Sequence, residues 1–472
     1  MNYVGGVWTD GLQPPVEVED PATGQVFATI ARAGPADVDR AVAGARACHL
    51  SGALTAMRPV ERGRMVRRIG DRLAARLDEV AAVLSRETGK PKVEARIEVE
   101  GAVRYFEYYG NQAETLEGRS IPLGDGYYDF TVMEPYGVSA QIIPWNYPVE
   151  MTARSLSAAL TAGNACVVKT PELTPLSSLF IAEAVEAAGL PAGAVSVLCG
   201  YGHEAGAALS SHPDVDQIVF TGSVETGTAI MTAAAKTVIP TVMELGGKSA
   251  AIAYPDADLA ALDESLRWGI YFNAGQVCSA MSRLIVHRSI HDEVVDRARA
   301  LAQSLRVGAP DEDADMGPMI SEKQRERAEG LCRQAQQEGA SLVTGGHRLN
   351  RPGWFLEPTI FANVAPEMTI AQTEVFGPVL SVFSFEDEAE AIRIANATDY
   401  GLVAGVFTRD LDRAMTAARH LKAGQIFVNE WYAGGVETPF GGYGKSGFGR
   451  EKGREALWNY LQTKNIAIRT GT

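Results

Sequence analysis

A regular alternation of short apolar segments and helical runs constrains the fold more than any other feature of this chain. Strands that are buried on both faces appear as continuous apolar runs, and the helices between them cover a parallel sheet. The first series predicts strands at 138–143, 165–169, 195–199, 216–220 and 239–244, with helices at 150–162, 175–189, 203–211 and 225–236.

A second alternating series follows Gly246. The pair Gly246-Gly247 interrupts an apolar run, which predicts a domain boundary near 245–247. A chain of 472 residues is long enough for two or three domains. The second series predicts strands near 249–253, 283–287, 379–385, 403–407 and 425–428, and helices near 258–274, 290–306, 321–338, 387–397 and 410–421.

Three further segments have clear periodicity. Residues 58–88 carry apolar side chains at three- and four-residue steps, which predicts one long amphipathic helix. Residues 127–134 alternate after the turn sequence GDG at 124–126, which predicts a hairpin. The alternating segment 465–470 predicts a final strand.

Charge and cysteine usage exclude several classes of function. The formal net charge of −15 argues against nucleic acid or an anionic membrane as the main partner. The N-terminus lacks the pattern of a signal peptide, and no apolar run approaches the roughly 20 residues of a membrane span. The five scattered cysteines form no CxxC pair, so we expect neither a disulfide framework nor a zinc site, and a reduced cytoplasmic setting.

One cysteine lies in a context that suits covalent chemistry. Cys278 follows Ala274-Gly275-Gln276 in the turn-forming stretch FNAGQVCSA, residues 272–280. Most lone cysteines are buried small hydrophobes, and a free thiol with a pKa of about 8.5 is only slightly ionised at neutral pH. Either reading fits Cys278 taken alone.

Two polar residues are candidate helpers. Glu244 ends an apolar strand, where a partly desolvated carboxylate has a raised pKa and can activate water; a strand-end ion pair is the structural alternative. Asn146 lies between the prolines of PWNYP, residues 144–148, so its amide is held stiffly and can donate to an oxyanion, or it is simply a turn residue.

Two strand ends are candidate dinucleotide contacts. In FTGSVETG, residues 220–227, Gly222 and Gly227 would let backbone approach a phosphate at a helix N-terminus, although the spacing is not GxGxxG. In KTPELTP, residues 169–175, Lys169 and Glu172 could bind ribose hydroxyls, and the carboxylate would repel a 2′-phosphate. Thr174 and Pro175 also fit a helix start.

Other chemistries lack support. His287 and His291 are four residues apart, but no third ligand is spaced nearby, so we expect no metal. GxSxG is absent, which argues against a serine hydrolase. The GKS tripeptides at 247–249 and 444–446 lack the glycine of a phosphate-binding loop.

Seven motifs in order resemble the NAD(P)-dependent aldehyde dehydrogenase family across essentially the whole chain. The family's fold implies a Rossmann-like parallel-sheet cofactor domain (1–117 and 137–245), an α/β catalytic domain (246–445) and a small β oligomerisation element (118–136 and 458–472) that forms a homodimer or homotetramer. The motifs are PWNYP, KTPELTP, FTGSVETG, MELGGKS, FNAGQVCSA, EVFGPV and PFGGYGKSGFGRE.

The resemblance implies a role for each matching residue. Cys278 would attack the aldehyde, Asn146 would stabilise the oxyanion, and Glu244 would activate the water that hydrolyses the thioester. NAD is the expected cofactor, with NADP use also compatible because KTPE departs from the common KPSE. The expected cofactor-binding residues are Pro144, Trp145, Lys169, Glu172, Gly222, Ser223, Gly227, Leu245, Glu374 and Phe376.

The substrate signals conflict. Arg154 stands where many relatives have tryptophan, and semialdehyde-oxidising relatives place arginine there to hold a carboxylate. Pairing with a neighbouring acid such as Glu150 is the structural alternative. Trp431, Tyr432 and Phe440 would line the same tunnel mouth and favour aromatic or alkyl groups, and Tyr147 is a further candidate substrate contact.

Three alternative functions remain. A coenzyme A-acylating dehydrogenase would use the same thiol, but Glu244 favours hydrolysis. A non-catalytic structural homologue would have no need of Cys278, Glu244 and Asn146. A cysteine protease would need a histidine in a matching motif, which the sequence lacks.

Overall fold

The computed structural model describes residues 1–470 as a mixed α/β protein with three main sheets and a small ribbon. The strands are β1 (Asn2–Val4), β2 (Val7–Thr9), β3 (Gln13–Asp20), β4 (Gln25–Arg32), β5 (Ser120–Ile121), β6 (Tyr127–Pro135), β7 (Val138–Ile142), β8 (Ala165–Thr170), β9 (Val195–Cys199), β10 (Gln217–Thr221), β11 (Thr241–Glu244), β12 (Ala250–Ala253), β13 (Arg283–His287), β14 (Ser341–Thr344), β15 (Thr359–Ala362), β16 (Val379–Phe385), β17 (Val403–Phe407), β18 (Gln425–Val428), β19 (Gly447–Phe448) and β20 (Leu461–Arg469). The α-helices are α1 (Pro35–Leu50), α2 (Pro59–Ala74), α3 (Leu77–Thr88), α4 (Lys92–Gln112), α5 (Pro148–Ala162), α6 (Leu176–Ala188), α7 (Ala207–Ser210), α8 (Val224–Ala235), α9 (Leu259–Tyr271), α10 (His291–Ser304), α11 (Glu322–Gln337), α12 (Thr369–Gln372), α13 (Glu388–Ala395), α14 (Leu411–His420) and α15 (Glu455–Trp458).

The first sheet confirms the predicted parallel architecture. Its order is β19-β11-β10-β7-β8-β9-β1-β2, and the strands from β11 to β9 run parallel. Every residue of β7, β8 and β9 is buried because helices cover both faces. The carboxyl ends of β7, β8, β10 and β11 meet at one edge, which brings the motifs that follow them together.

The second sheet has the order β14-β15-β16-β13-β12-β17-β18. All its pairs are parallel except that of β14 with β15. Five of its strands agree with the predicted second series to within one residue, because continuous apolar runs between turns define them. The edge strands β14 and β15 were not predicted.

The single helix expected over 58–88 is wrong. The chain forms α2 and α3, which are separated by a bend at Ala75 and Arg76. Arg76 leaves the helical region at φ −122° and ψ 21°, and its guanidinium pairs with Glu79 and Glu183. The apolar period continues across the bend, so it could not reveal that two helices are present.

Two other local predictions need correction. The run 203–211 begins as a turn of π-helix at Gly202–Gly206 and continues as α7. Helix α6 begins at Leu176 without a side-chain cap from Thr174. Instead the carboxylate of Glu87 in α3 accepts hydrogen bonds from the backbone N–H groups of Leu176 and Ser177, at 2.7 and 3.0 Å.

The third sheet joins β20, β6 and β5. The predicted hairpin is present, since β5 pairs with β6, and β20 pairs with the whole length of β6. The final strand therefore begins at Leu461, earlier than expected. The predicted element 458–472 includes residues 471–472, which lie outside the described residues, and the division of the chain into domains stays a prediction.

Candidate active site

Cys278 lies in a left-handed turn that follows α9. Asn273, Ala274 and Gly275 have φ values of 49°, 52° and 70°, a region that L-residues rarely adopt in succession. A Cβ on Gly275 would lie 2.2 Å from the carbonyl oxygen of Gly377, so only glycine fits there. Cys278 is half-buried, unlike the other four cysteines, which are buried.

Side chains fix this turn from several directions. Gln276 donates from Nε2 to the Asn273 carbonyl at 3.0 Å and accepts from the Ile320 N–H at 2.8 Å. The Asn273 N–H donates to Glu94 Oε2 in α4 at 2.9 Å. A rotation of the turn would break bonds to separate elements, so the position of the thiol is held by packing and hydrogen bonding.

The turn and the MELGGKS segment pass each other closely. A Cβ on Gly247 would lie 2.4 Å from the Cys278 carbonyl oxygen, which explains the glycine at this position. Glu244, at the end of β11, is 2% exposed, and neither of its carboxyl oxygens has a hydrogen-bond partner within residues 1–470.

Burial sets the protonation of both groups. It raises the pKa of Glu244 well above its usual range; Glu451 adds to this, while Arg154 and Arg450 oppose it. Burial likewise raises the pKa of Cys278 to about 12, against the opposing charge of Arg154. Burial therefore disfavours the ionised form of both groups, and each needs activation before it reacts.

Asn146 reaches the same turn from the end of β7. Its Nδ2 donates to the Gln276 carbonyl oxygen at 2.9 Å. A side-chain amide carries two hydrogens, so the second remains available for a ligand oxygen. The Asn146 carbonyl accepts from Lys90 Nζ at 2.9 Å, which fixes the backbone of the PWNYP segment.

A buried charged network behind the turn escaped the sequence analysis. Lys90 and Glu98 form an ion pair with both side chains at most 1% exposed. Glu98 also accepts from the Val149 N–H at 3.0 Å at the start of α5, and burial raises the pKa of Glu94 to about 8. Charged residues spaced by four look like the exposed face of a helix, so the sequence gives no signal of this burial.

The candidate phosphate and ribose contacts follow β8 and β10. Lys169 Nζ donates to Glu172 Oε2 at 2.8 Å. Ser223 caps α8 by accepting from the Thr226 N–H at 3.2 Å, and the Gly222 N–H donates to the Glu244 carbonyl at 3.0 Å. The helix N-terminus beside Gly222 has the polarity that a phosphate requires.

Close packing explains the neighbouring glycine. A Cβ on Gly227 would lie 2.6 Å from Leu245 Cδ2, so glycine lets α8 approach the segment that follows β11. The Leu245 N–H donates to the Ser446 carbonyl at 3.0 Å, which anchors this segment to the glycine-rich C-terminal loop.

Glu374 and Phe376 come from the loop before β16. Glu374 Oε1 accepts from the Gly247 N–H at 3.0 Å, and burial raises the pKa of that carboxyl to about 7. Phe376 has φ 57°, and its ring meets Trp145 edge-on at 5.3 Å. Pro144 is half-buried beside them. Glu374 therefore lies against Gly247, the residue that packs on the Cys278 carbonyl.

Arg154 forms an ion pair with an acidic residue, but the partner is not the expected Glu150. Its guanidinium forms an ion pair with Glu451, and the two side chains are 4% and 2% exposed. Ser155 Oγ donates to the same carboxylate at 3.1 Å. The Arg154 Cζ lies 5.7 Å from the centre of the Phe440 ring. Glu451 is the last residue of the motif PFGGYGKSGFGRE, and nothing in the sequence pattern signals its pairing with Arg154.

Trp431 and Tyr147 are also buried. Trp431 Nε1 donates to the Ser279 carbonyl at 3.1 Å, next to Cys278. Tyr147 stacks on Phe272 at 6.2 Å, and its hydroxyl has no partner within residues 1–470. Both aromatic rings and charged side chains are therefore present around the thiol-bearing turn.

Two general findings concern the whole described chain. Across residues 1–470, no helix combines the length and apolar character needed to cross a membrane. In the same part of the chain, no three His, Cys, Asp or Glu side chains cluster in a way that could hold a metal ion.

Two largely parallel sheets, with polar motifs at the strand ends beside a thiol-bearing turn, are typical of dinucleotide-dependent α/β enzymes. The model of the aldehyde dehydrogenase family matches residues 8–466, and the chain belongs to that family. It is accordingly an enzyme that oxidises aldehydes to carboxylic acids with NAD(P)+.

Individual relatives agree with this placement. An aldehyde dehydrogenase of Emericella nidulans is 40% identical over 96% of this chain and 92% of its own. The mitochondrial benzaldehyde dehydrogenase of Antirrhinum majus is 42% identical over 95% and 84%. The NAD+ complex of an aldehyde dehydrogenase from Bacillus cereus is 38% identical, with a TM-score of 0.98 over 99% of this chain and 96% of that one.

Proposed function

We propose that Cys278 is the nucleophile of aldehyde oxidation, with Asn146 as oxyanion donor and Glu244 as general base. The observation that carries the proposal is that the segments following β7 and β11 both meet the turn after α9. Gln276 bonds Asn146, and Gly247 touches the Cys278 carbonyl. A nucleophile, a donor and a base at one point are what acyl chemistry requires.

The first step forms a carbon–sulfur bond. The Cys278 thiolate attacks the aldehyde carbon, and the carbonyl oxygen becomes an oxyanion. The free hydrogen on Asn146 Nδ2 stabilises that charge, and such a donor is worth about 10²–10³ in rate. The turn holds the sulfur rigidly, so little reorganisation is needed when the substrate binds.

The last step breaks the same bond. Glu244, once ionised, takes a proton from water, which adds to the thioester carbon and releases the acid and the Cys278 thiolate. A carboxylate with a strongly raised pKa is a better base than an exposed one. The position of Glu244 beside the thiol supports water rather than coenzyme A as the acceptor.

The geometry of the predicted cofactor-binding residues supports the binding of a dinucleotide. The α8 N-terminus is capped by Ser223, and the Lys169–Glu172 pair and the buried Glu374 offer ribose contacts. A bound oxidised nicotinamide would supply the hydride acceptor that converts the thiohemiacetal into the thioester. Glu172 keeps a lowered pKa despite its burial, because Lys169 opposes the cost of desolvation. Its negative charge supports NAD over NADP.

The test is NADH release, followed at 340 nm over a panel of aliphatic, aromatic and carboxylated aldehydes. Cys278→Ala should abolish release, whereas Cys48→Ala, at a buried cysteine in α1, should retain it. Addition of coenzyme A should leave the rate unchanged. Full activity in Cys278→Ala would overturn the assignment, as would a requirement for coenzyme A.

We also propose that the protein forms a homodimer or homotetramer through its third sheet. We further propose that it functions in the cytoplasm. Tyr128 and Phe130 lie on one face of β6 and are 68% and 36% exposed, which supports a covered apolar face. Five free cysteines support a reducing compartment. Light scattering of Tyr128→Asp should show a smaller species, while Val238→Asp, at an exposed site elsewhere, should not change the mass. Fractionation of the host cell tests the compartment.

A further inference from the structure

Lys452 holds an unusual backbone conformation beside the candidate active site. Its φ is 60°, in the left-handed region that glycine or asparagine adopts more easily than lysine. The flanking backbone is fixed, since Phe440 N–H donates to the Glu451 carbonyl at 2.6 Å and Gly453 N–H donates to the Val436 carbonyl at 2.7 Å. Strain that is held in place by pairing on both sides points to a functional position.

The ammonium of Lys452 lacks an ionic partner in the described part of the chain. Its Nζ lies 5.7 Å from the centre of the Phe440 ring, and within residues 1–470 it makes neither a hydrogen bond nor an ion pair. Arg154 lies at the same distance from that ring, but Glu451 neutralises it. Of the two cations beside Phe440, Lys452 is therefore the one available to a ligand.

Charged groups from several elements surround this ammonium. Burial lowers the pKa of Lys452; Glu150 opposes this, Arg154 reinforces it, and Cys278 and Glu437 oppose it. Glu150 lies in the first turn of α5. Its carboxylate is 3.5 Å from the place of a Cβ on Gly101, so glycine leaves room around the carboxylate. The position of Lys452 follows from Phe440, because a Cβ on the next residue, Gly441, would lie 2.9 Å from Glu244 Oε1. The ammonium therefore lies beside the candidate active site, and it makes no direct bond to Glu150.

Lys452 is half-buried, and a partly desolvated cation without a counter-ion is stabilised by a ligand that supplies the opposite charge. We propose that Lys452 determines specificity by binding a carboxylate on the substrate, so that the enzyme prefers aldehydes bearing an anionic group. The proposal rests on Cys278 as the point of attack. Glu150 repels the same anion and therefore moderates the preference.

The test compares succinic semialdehyde with butanal, two four-carbon aldehydes that differ in the carboxylate. Lys452→Met removes the charge and keeps the length of the side chain. The ratio of kcat/KM for succinic semialdehyde over butanal should fall by about tenfold or more, mostly through KM, as expected for the loss of a charge-assisted hydrogen bond. Lys452→Arg should restore much of the ratio.

Two further variants make the test independent of one substitution. Lys452→Asn suits the left-handed backbone and should lower the ratio in the same way. Glu150→Gln should raise it, because repulsion of the anion is removed. The control is Lys445→Met, in the same loop, where the lysine pairs with Asp399 at the surface and the ratio should not move.

The outcomes separate this proposal from the proposed function. Absence of NADH with every aldehyde in the wild type would defeat the proposed function itself. Normal oxidation of butanal, with the ratio unchanged in Lys452→Asn and Glu150→Gln, would overturn the role of Lys452 and leave the reaction standing.

Discussion

Removing one partner of the Arg154–Glu451 ion pair should lower the free energy of unfolding by far more than the intact pair contributes to it. Both side chains are nearly inaccessible, at 4% and 2% exposed. Water cannot solvate the charge that remains when one partner is removed. Arg154→Met keeps most of the stem that packs near Phe440, and Glu451→Gln keeps an acceptor for Ser155, so each change isolates the charge.

The magnitude follows from this burial. Removal of one partner of a buried pair costs about 3–5 kcal/mol, because an uncompensated charge stays in the interior. Removal of both leaves no buried charge, so the double variant should lie within about 1–2 kcal/mol of the wild type. The coupling energy between the two sites should therefore exceed about 2 kcal/mol.

The assay is urea unfolding without added cofactor, followed by far-ultraviolet circular dichroism and linear extrapolation to water. The exposed pair Lys445–Asp399 provides the control, since its loss should cost no more than about 1 kcal/mol. The reasoning fails if the single variants are as mild as Lys445→Met, or if the two single effects simply add. In that case Arg154 would be free to act as a carboxylate clamp.

Four other outcomes follow from the site. Glu244→Gln should retain a burst of NADH equal to the enzyme concentration while steady turnover falls about 10²–10⁴-fold; loss of the burst would contradict a role limited to deacylation. Asn146→Ala should lower kcat about 10²–10³-fold, and an unchanged kcat would argue for a purely structural amide. Because the pKa of Cys278 is raised to about 12, its alkylation by iodoacetamide without cofactor should accelerate about tenfold per pH unit between pH 7 and 9; a plateau in that range would mean a more acidic thiol. Glu374→Gln, at a carboxyl whose pKa is raised to about 7, should weaken NAD+ binding in calorimetry, and unchanged affinity would remove it from the ribose site.

Much of the fold is encoded locally. Strands buried on both faces must be continuous apolar runs, so β7 to β11 and most of the second sheet were predicted to within two residues. The place of β1 in the first sheet was missed because β1 pairs antiparallel with β9, and such a pairing depends on residues far apart in the chain. The bend between α2 and α3 was missed because a repeating apolar pattern does not report a change in the direction of the helix axis.

The sequence alone determined which reactive residue types stand in the turns and at the strand ends: a thiol at Cys278, a carboxyl at Glu244 and an amide at Asn146. Only the tertiary structure decided how charges pair. In the tertiary structure, Lys90 pairs with Glu98 and Arg154 pairs with Glu451 in the interior, whereas Lys452 forms no ion pair within residues 1–470. Periodicity is a local property that the chain carries in its residue order, whereas desolvation and ion pairing depend on which distant segments fold against each other.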